Sequence, residues 1–283
     1  MNSTQTSLPT LVELNQSAVS RNVFCIHPAG GGVSFYDGLA KALQPYAKFY
    51  GLEDPFIYDT FAYGSLPELA SYHLDVIRSV QAEGPYTLFG YCSGGVISYE
   101  VACQLQLSGS SVESVSMFGS TLVGGFDPEN RERAVWLRDH LAGRHGLQLG
   151  HLDWQRLETL SFAEVADAII EDLERQGLGE EGTDLEWANR TIQAKCLMRQ
   201  ASRKYRAPRS GLTVNLFQWD YLDPETPKLL HPWCDWNTLT TGKLTIVPPP
   251  ERNGPEVDIL FPPYLDVTVE RVKKFTFGMD SAA

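Results

Sequence analysis

Cys92 lies between two glycines, Gly90 and Gly94, in the run of residues 90–95 that reads GYCSGG. This is the Gly-x-nucleophile-x-Gly pattern of a sharp turn from strand to helix, which holds a reactive side chain in a strained backbone conformation. The flanking positions must be small so that the strand and the helix can pass each other. The pattern therefore predicts that Cys92 is a nucleophile and forms a thioester acyl-enzyme.

Two alternatives to a nucleophilic Cys92 have to be considered. A turn centred on Ser93 would place the ring of Tyr91 at a flanking position, where it would clash, so Cys92 fits the turn better. Cys92 could also be a small buried thiol in a glycine-rich turn, since cysteine often fills protein cores. The elements around it favour the nucleophile.

A short apolar run, Tyr86 to Phe89, follows Gly84-Pro85 and is typical of a buried strand. After the turn, apolar residues recur at three- and four-residue steps, as on the buried side of a helix. These residues are Val96, Ile97, Tyr99, Val101, Ala102 and Leu105. A strand before the turn and a helix after it are what a nucleophile at this position requires.

The same alternation of strand, glycine turn and helix begins at residues 22–26 and repeats through residues 112–119, which predicts an α/β fold with a mostly parallel sheet. Residues 67–80 carry an apolar stripe that predicts a crossover helix, on which His73 is expected to be a packed side chain. Strand signals return at 212–219 and 244–247, and a helix is expected near 264–275. The domain prediction is a flexible leader over 1–20, a core formed by 21–125 and 209–283, and an inserted helical lid over 126–208.

Composition excludes several function classes. The net charge is −12 and the pI is about 4.9, which argues against a partner that is nucleic acid or an anionic membrane. Five scattered cysteines without a C-x-x-C pair indicate neither a disulfide framework nor a zinc site. No long apolar run or signal peptide is visible. We expect a cytoplasmic protein without a metal or organic cofactor.

With these pieces in place, the chain resembles the thioesterase family of nonribosomal peptide and polyketide synthetases, in the α/β-hydrolase superfamily. The resemblance is densest in Phe24 to Gly31, which reads FCIHPAGG, and in Leu66 to Leu105. It implies a substrate held as a thioester on the phosphopantetheine arm of a carrier protein, and a lid that shapes the acyl pocket. It also implies an oxyanion hole formed by backbone N–H groups at Ser93 and near Ala29, which would stabilise the tetrahedral intermediate.

The sequence departs from this family at two positions. The strand after the turn often ends in aspartate in the family, but here it ends Met117-Phe118-Gly119-Ser120, so Asp220 after a later strand is the candidate acid. The family histidine follows the last strand, whereas this chain has no histidine after His231. His231 is therefore the candidate base.

The chemistry of a thiol bears on these departures. A thiol at a helix N-terminus ionises readily, so Cys92 needs less help than a serine. Release by water requires a base, whereas transfer of an acyl, aminoacyl or peptidyl group to a carrier thiol, an amine or a nucleophile within the substrate does not depend on deprotonating water. The leading hypothesis is an acyl-transferring enzyme of natural-product biosynthesis, whose acceptor stays open between water (hydrolysis), a nucleophile within the substrate (cyclisation) and another carrier.

Two other hypotheses stay open. One is a degenerate hydrolase fold that serves as a binding subunit of a synthetase, and the other is a general small-ester hydrolase. If an acidic carrier docks on this acidic chain, it needs a local basic patch. The densest one comprises Arg199, Arg203, Lys204, Arg206 and Arg209, which can equally be a solvated face.

Overall fold

The computed structural model describes residues 8–58, 60–120, 205–218, 235–250 and 259–279, together with individual helical positions between 164 and 202. The strands are β1 (Leu11–Glu13), β2 (Asn22–Ile26), β3 (Lys48–Leu52), β4 (Tyr86–Tyr91), β5 (Val112–Phe118), β6 (Val214–Phe217) and β7 (Leu244–Val247). The helices whose bounds lie within the described ranges are α1 (Asp37–Ala42), α2 (Leu66–Val80), α3 (Ser93–Leu107), α4 (Trp236–Leu239) and α5 (Leu265–Phe275). Two short 3-10 turns lie at Ser34–Tyr36 and Pro55–Tyr58.

The described strands form one seven-stranded sheet in the order β1-β3-β2-β4-β5-β6-β7. Every neighbouring pair is parallel except β1 with β3, which is antiparallel. The predicted α/β class with a mostly parallel sheet is confirmed. From β2 the chain continues to β3 on one side of β2, whereas β4 and the strands after it lie on the other side. The strand order therefore reverses between β2 and β4.

Strict alternation along the strands builds a core on each face of the sheet. Val23 and Cys25 of β2 face one core, in which α1 and α5 pack, while Phe24 and Ile26 face the other, in which α2 and α3 pack. Both faces are covered by helices, which is why β4 is buried at all six of its positions. The helices after β2 and β4 therefore lie on opposite faces.

The leader prediction is wrong for part of its range. Residues 11–13 form β1, in register with β3 through Leu11↔Leu52 and Glu13↔Tyr50. Asn15 then donates to the carbonyls of Ala40 and Ala47. An edge strand needs hydrogen bonds on one side only, and a mostly polar segment can supply them.

The predicted lid lies mostly outside the described residues, so its boundaries stay a prediction. The sheet does combine strands from both predicted core segments, because β5 of the first pairs with β6 of the second. Within the described residues, no helix combines the length and the apolarity needed to cross a bilayer.

Candidate active site

Cys92 joins β4 to α3 in a backbone conformation that side chains rarely adopt. Its φ is 53° and its ψ is −123°, and it is the one non-glycine residue with positive φ among those described. Such a conformation costs about 1–3 kcal/mol and persists only where the surroundings enforce it. Part of that enforcement is the Cys92 N–H, which donates to the carbonyl of Phe118 at 2.9 Å. Cys92 is exposed.

The two flanking glycines are required by contacts of their own. Gly90 faces α3, and a Cβ there would overlap the carbonyl oxygen of Gly94 and the Cα of Gly95. A Cβ on Gly94 would overlap the carbonyl oxygen of Ile26 and lie 2.7 Å from that of His27. The glycines thus allow the start of α3 to press against both its own strand and the end of β2.

The turn at Cys92 lies at the point where the strand order reverses. β2 and β4 are neighbours, with Ile26 opposite Gly90, and the chain leaves these strands toward opposite faces. Open α/β sheets bind ligands in the crevice that this divergence creates at the carboxyl ends of the strands. The position of Cys92 therefore coincides with the crevice that topology alone would select.

The loop after β2 borders the same crevice and carries Ala29, which is partly exposed. A turn closes it, because the N–H of Gly31 donates to the carbonyl of Pro28 at 2.9 Å. Gly31 has a φ of 82°, and its own carbonyl accepts from the N–H of Asp54 at 2.9 Å. Ser93 begins α3 on the other side, and first-turn N–H groups have no partner within a helix. The two predicted oxyanion donors thus belong to neighbouring segments.

Asp54 braces this loop from the end of β3. The carboxylate is fully buried and accepts from the Tyr63 hydroxyl at 2.8 Å and the Phe56 N–H at 2.9 Å. Burial, followed by the Asp54 charge, raises the pKa of Tyr63, so this phenol stays a hydrogen-bond donor. Asp54 is therefore held in place, and its N–H holds the loop after β2 through the Gly31 carbonyl.

His27 and His73 form a buried pair beneath the loop. Their Nε2 atoms lie 3.1 Å apart, and the Nδ1 of His27 lies 2.9 Å from the carbonyl oxygen of Pro28. Neither residue is exposed. Burial, followed by the neighbouring His27, lowers the pKa of His73 well below its ordinary value. Sequence reasoning expected His73 to be packed, but it missed the pairing, which joins residues 46 positions apart.

The family comparison covers the segment that carries these features. Residues 21–147 match the model of the thioesterase domain. Over this segment the chain is similar to thioesterase domains. Across 115 residues it is 40% identical to polyketide synthase PksR of Bacillus subtilis (strain 168), covering 40% of this chain and 4% of PksR. Across 118 residues it is 35% identical to the dimodular nonribosomal peptide synthase of the same organism, covering 41% of this chain and 5% of that protein.

Solved structures extend the likeness in fold to nearly the whole chain. A four-domain nonribosomal peptide synthetase, holo-AB3403 bound to AMP and glycine, superposes with a TM-score of 0.77 at 19% identity, covering 96% of this chain and 20% of that one. The NocB thioesterase domain from the nocardicin cluster gives 0.63 at 20% identity, covering 95% and 99%. These likenesses confirm the predicted α/β-hydrolase fold.

The chain carries no acidic residue at the end of β5, where the resemblance would place one. Ser120 occupies that region, and its side chain is buried within 3.4 Å of the Gly90 carbonyl oxygen and 3.5 Å of that of Phe118. A Cβ on Gly95 would overlap the Ser120 hydroxyl, so the residue is packed tightly against the start of α3. The other candidates for the acid and the base, Asp220 and His231, lie outside the described residues.

The other described cysteines are unlike Cys92. Cys25 is fully buried and Cys103 is 5% exposed. Burial raises the pKa of Cys25, and burial followed by the charge of Glu100 raises that of Cys103 to about 12. Within the described parts of the chain no group of three His, Cys, Asp or Glu residues could hold a metal ion.

The chain that returns toward β6 is fastened to α3, the helix that begins after Cys92. Tyr205 donates its hydroxyl to Glu100 at 2.8 Å, and Tyr99 donates to the carbonyl of Pro208 at 2.8 Å. Of the predicted basic patch, Arg206 and Arg209 are described, and both are exposed. The remaining members of the patch lie outside the described residues.

Proposed function

We propose that this protein is an acyl-transferring enzyme of the thioesterase family in nonribosomal peptide or polyketide biosynthesis, with Cys92 as its nucleophile. The observation that carries the proposal is the backbone of Cys92: an exposed thiol is held at positive φ between a buried strand and a helix N-terminus. A structural cysteine gains nothing from such a costly conformation. Cys25 and Cys103 show how this fold holds cysteines that only pack.

The substrate in this proposal is an acyl, aminoacyl or peptidyl group on the phosphopantetheine thioester of a carrier protein. The Cys92 thiolate forms a bond to the carbonyl carbon, and the carbonyl π pair moves to the oxygen. N–H groups at Ala29 and Ser93 stabilise that oxyanion. Its collapse breaks the carrier's carbon–sulfur bond, and the departing thiolate takes up the proton that Cys92 released.

Transfer, rather than hydrolysis, fits the described surroundings. His27 and His73 are fully buried and bonded to each other, and Ser120 replaces an acid. An acyl-cysteine is nearly equal in energy to the thioester from which it came, so the group stays activated. Water must be deprotonated as it attacks, whereas a thiolate or an amine in the acceptor needs less assistance. The acceptor is another carrier thiol, an amine or a nucleophile within the acyl chain.

The test is incubation with a panel of carrier proteins loaded with different acyl groups, followed by mass spectrometry of the intact protein and its peptides. We expect an acyl adduct on Cys92, which disappears in Cys92→Ala. Cys92→Ser is the matched control, because it keeps the shape of the turn and should accept the group more slowly. If Cys92→Ala unloads the carriers at the wild-type rate, the proposal is wrong.

A binding subunit is the second candidate, favoured by the tightly packed Ser120 at the position of the usual acid. In that case loaded carrier would bind without forming an adduct on Cys92. Carrier binding would then survive Cys92→Ala unchanged, while no variant of Cys92 would alter product formation. The same spectra therefore separate the two candidates.

A further inference from the structure

The hydrogen bond between the buried His27 and His73 has a defined donor and acceptor. A carbonyl oxygen only accepts hydrogen bonds, so the Nδ1 of His27, at 2.9 Å from the Pro28 oxygen, carries a proton. A neutral imidazole carries one proton on its two ring nitrogens, so the Nε2 of His27 is then bare. The neighbouring Nε2 of His73, 3.1 Å away, must supply the proton of the bond between them. His73 donates to His27, which donates to Pro28.

The other ring nitrogen of His73 agrees with this assignment. Once Nε2 carries the proton, Nδ1 of a neutral ring carries none. Among the described residues Nδ1 is buried and has no hydrogen-bond partner. A proton on Nδ1 would instead create a buried donor without an acceptor, and buried N–H groups without a partner are rare in folded proteins. The bond to His27 therefore fixes the tautomer of both rings.

The two successive hydrogen bonds, from His73 to His27 and from His27 to Pro28, form a relay. This relay ends on the peptide that carries the predicted oxyanion donor. The Pro28 carbonyl and the Ala29 N–H belong to one planar, trans peptide group, so they point in opposite directions. Two donors fix that carbonyl, the Nδ1–H of His27 and the N–H of Gly31, each at 2.9 Å. Holding the oxygen in place also holds the direction of the Ala29 N–H.

We propose that His73 is a positioning residue of the acyl-transfer site: it keeps His27 in the tautomer that orients the Pro28–Ala29 peptide, and thereby aims the Ala29 N–H at the developing oxyanion. This inference rests on the proposed function. His73 touches no reacting atom. Its effect is confined to steps in which a carbonyl oxygen gains negative charge.

That restriction gives a test that a merely structural role would not pass. Acylation of Cys92 by S-acetyl- or S-hexanoyl-N-acetylcysteamine passes through an oxyanion, whereas alkylation by iodoacetamide displaces iodide without forming one. The matched variants are His73→Met, which has a similar chain length and no donor, and His73→Gln, whose side-chain amide can donate near the place of Nε2. Both rates are measured by intact mass.

We expect His73→Met to slow acylation at least about tenfold. The loss should not exceed ~10²–10³-fold, which is the cost of removing an oxyanion donor altogether. Alkylation should stay within about twofold, since it reports the thiolate alone. His73→Gln should recover most of the acylation rate. Equal loss of both rates, an unchanged acylation rate in His73→Met, or no recovery in His73→Gln would each overturn the inference.

A second measurement needs no variant. Nitrogen-15 spectra of the imidazole rings in the wild-type protein should show the proton on Nδ1 of His27 and on Nε2 of His73, and the reverse assignment for His73 excludes the relay. Failure of the proposed function looks different. In that case wild-type Cys92 is not acylated by either thioester, while the ring protons are where the relay requires them.

Discussion

The position that a Cβ would take on Gly94 lies 2.7 Å from the carbonyl oxygen of His27. The first turn of the helix after Cys92 and the loop after β2 are therefore in direct backbone contact. Gly94→Ala should lower the free energy of unfolding by about 1–3 kcal/mol or more, because neither backbone can move aside. It should also slow acylation of Cys92, since both predicted oxyanion segments shift. Urea unfolding and acylation kinetics measure the two effects.

Gly211→Ala is the matched control for this substitution. No heavy atom lies within 4 Å of the position that its Cβ would take. The exchange should change the free energy of unfolding by less than about 0.5 kcal/mol. Equal effects of the two substitutions would contradict the role assigned to the Gly94 contact.

Cysteine reactivity should separate Cys92 from the buried thiols. Iodoacetamide at pH 7.5 is expected to modify Cys92 well before Cys25 or Cys103, because burial excludes the reagent and raises the pKa of both. Peptide mapping after timed quenching measures the order. Modification of Cys25 at the rate of Cys92 in folded protein would contradict it, and unfolding in urea should make the rates similar.

Stability should fall in mild acid because of His73. Its folded pKa is lowered by burial and then by His27, whereas the unfolded ring titrates near its ordinary pKa of about 6.5. Below that pH the unfolded state binds a proton that the folded state refuses, so the free energy of unfolding decreases as pH falls. Above about pH 7 both forms are neutral and this contribution is constant.

The comparison with His73→Gln isolates that contribution, since most other titrating groups are common to both proteins. The rings that face His73 are those of His27, with Nε2 atoms 3.1 Å apart, and Tyr72, with ring centroids 5.8 Å apart. Urea unfolding at pH 8 and pH 5 should show a larger loss for the wild type. Parallel losses in the two proteins would show that His73 does not carry the effect.

Restoring an acid at the end of β5 should not restore hydrolysis. Ser120→Asp would bury a carboxylate beside the carbonyl oxygens of Gly90 and Phe118, which only accept hydrogen bonds. We expect a lower melting temperature and no gain in thioester hydrolysis. Ser120→Ala removes one hydroxyl donor, which lies 3.4 Å and 3.5 Å from these two oxygens, and should cost little. A faster hydrolysis rate in Ser120→Asp would mean that the missing acid is what limits release.

The attachment at Tyr205 should matter for stability. Tyr205→Phe removes the donor to the buried Glu100 carboxylate, which then keeps the 3.0 Å bond from Gln104. The expected loss is about 1–3 kcal/mol in the free energy of unfolding, with faster proteolysis near residues 205–210. A loss below about 0.5 kcal/mol would contradict this assignment.

Local patterns predicted the elements that build the site, because each depends on nearby residues. The apolar run before Cys92, its two glycines and the periodic stripe after it predicted β4, the turn and α3. The two flanking glycines face backbone, which is why small residues are needed there. Successive side chains of a strand point to opposite faces of the sheet, which places Gly90 toward α3 and Tyr91 toward the opposite face.

Sequence patterns did not predict the features that depend on residues distant along the chain. β1 lies in a polar segment, and its pairing with β3 is set by the sheet edge rather than by its own apolarity. The stripe on α2 correctly indicated that His73 is buried. It contained no signal for His27, which lies on another element, so the shared proton could not be inferred.

The unusual backbone at Cys92 is imposed by neighbouring glycines and by the Phe118 carbonyl, not by sulfur. An oxygen atom could take the place of sulfur without any rearrangement of the scaffold. In the proposed reaction, the choice between sulfur and oxygen at this position sets how long the acyl group is retained, and it does so independently of whether the polypeptide folds.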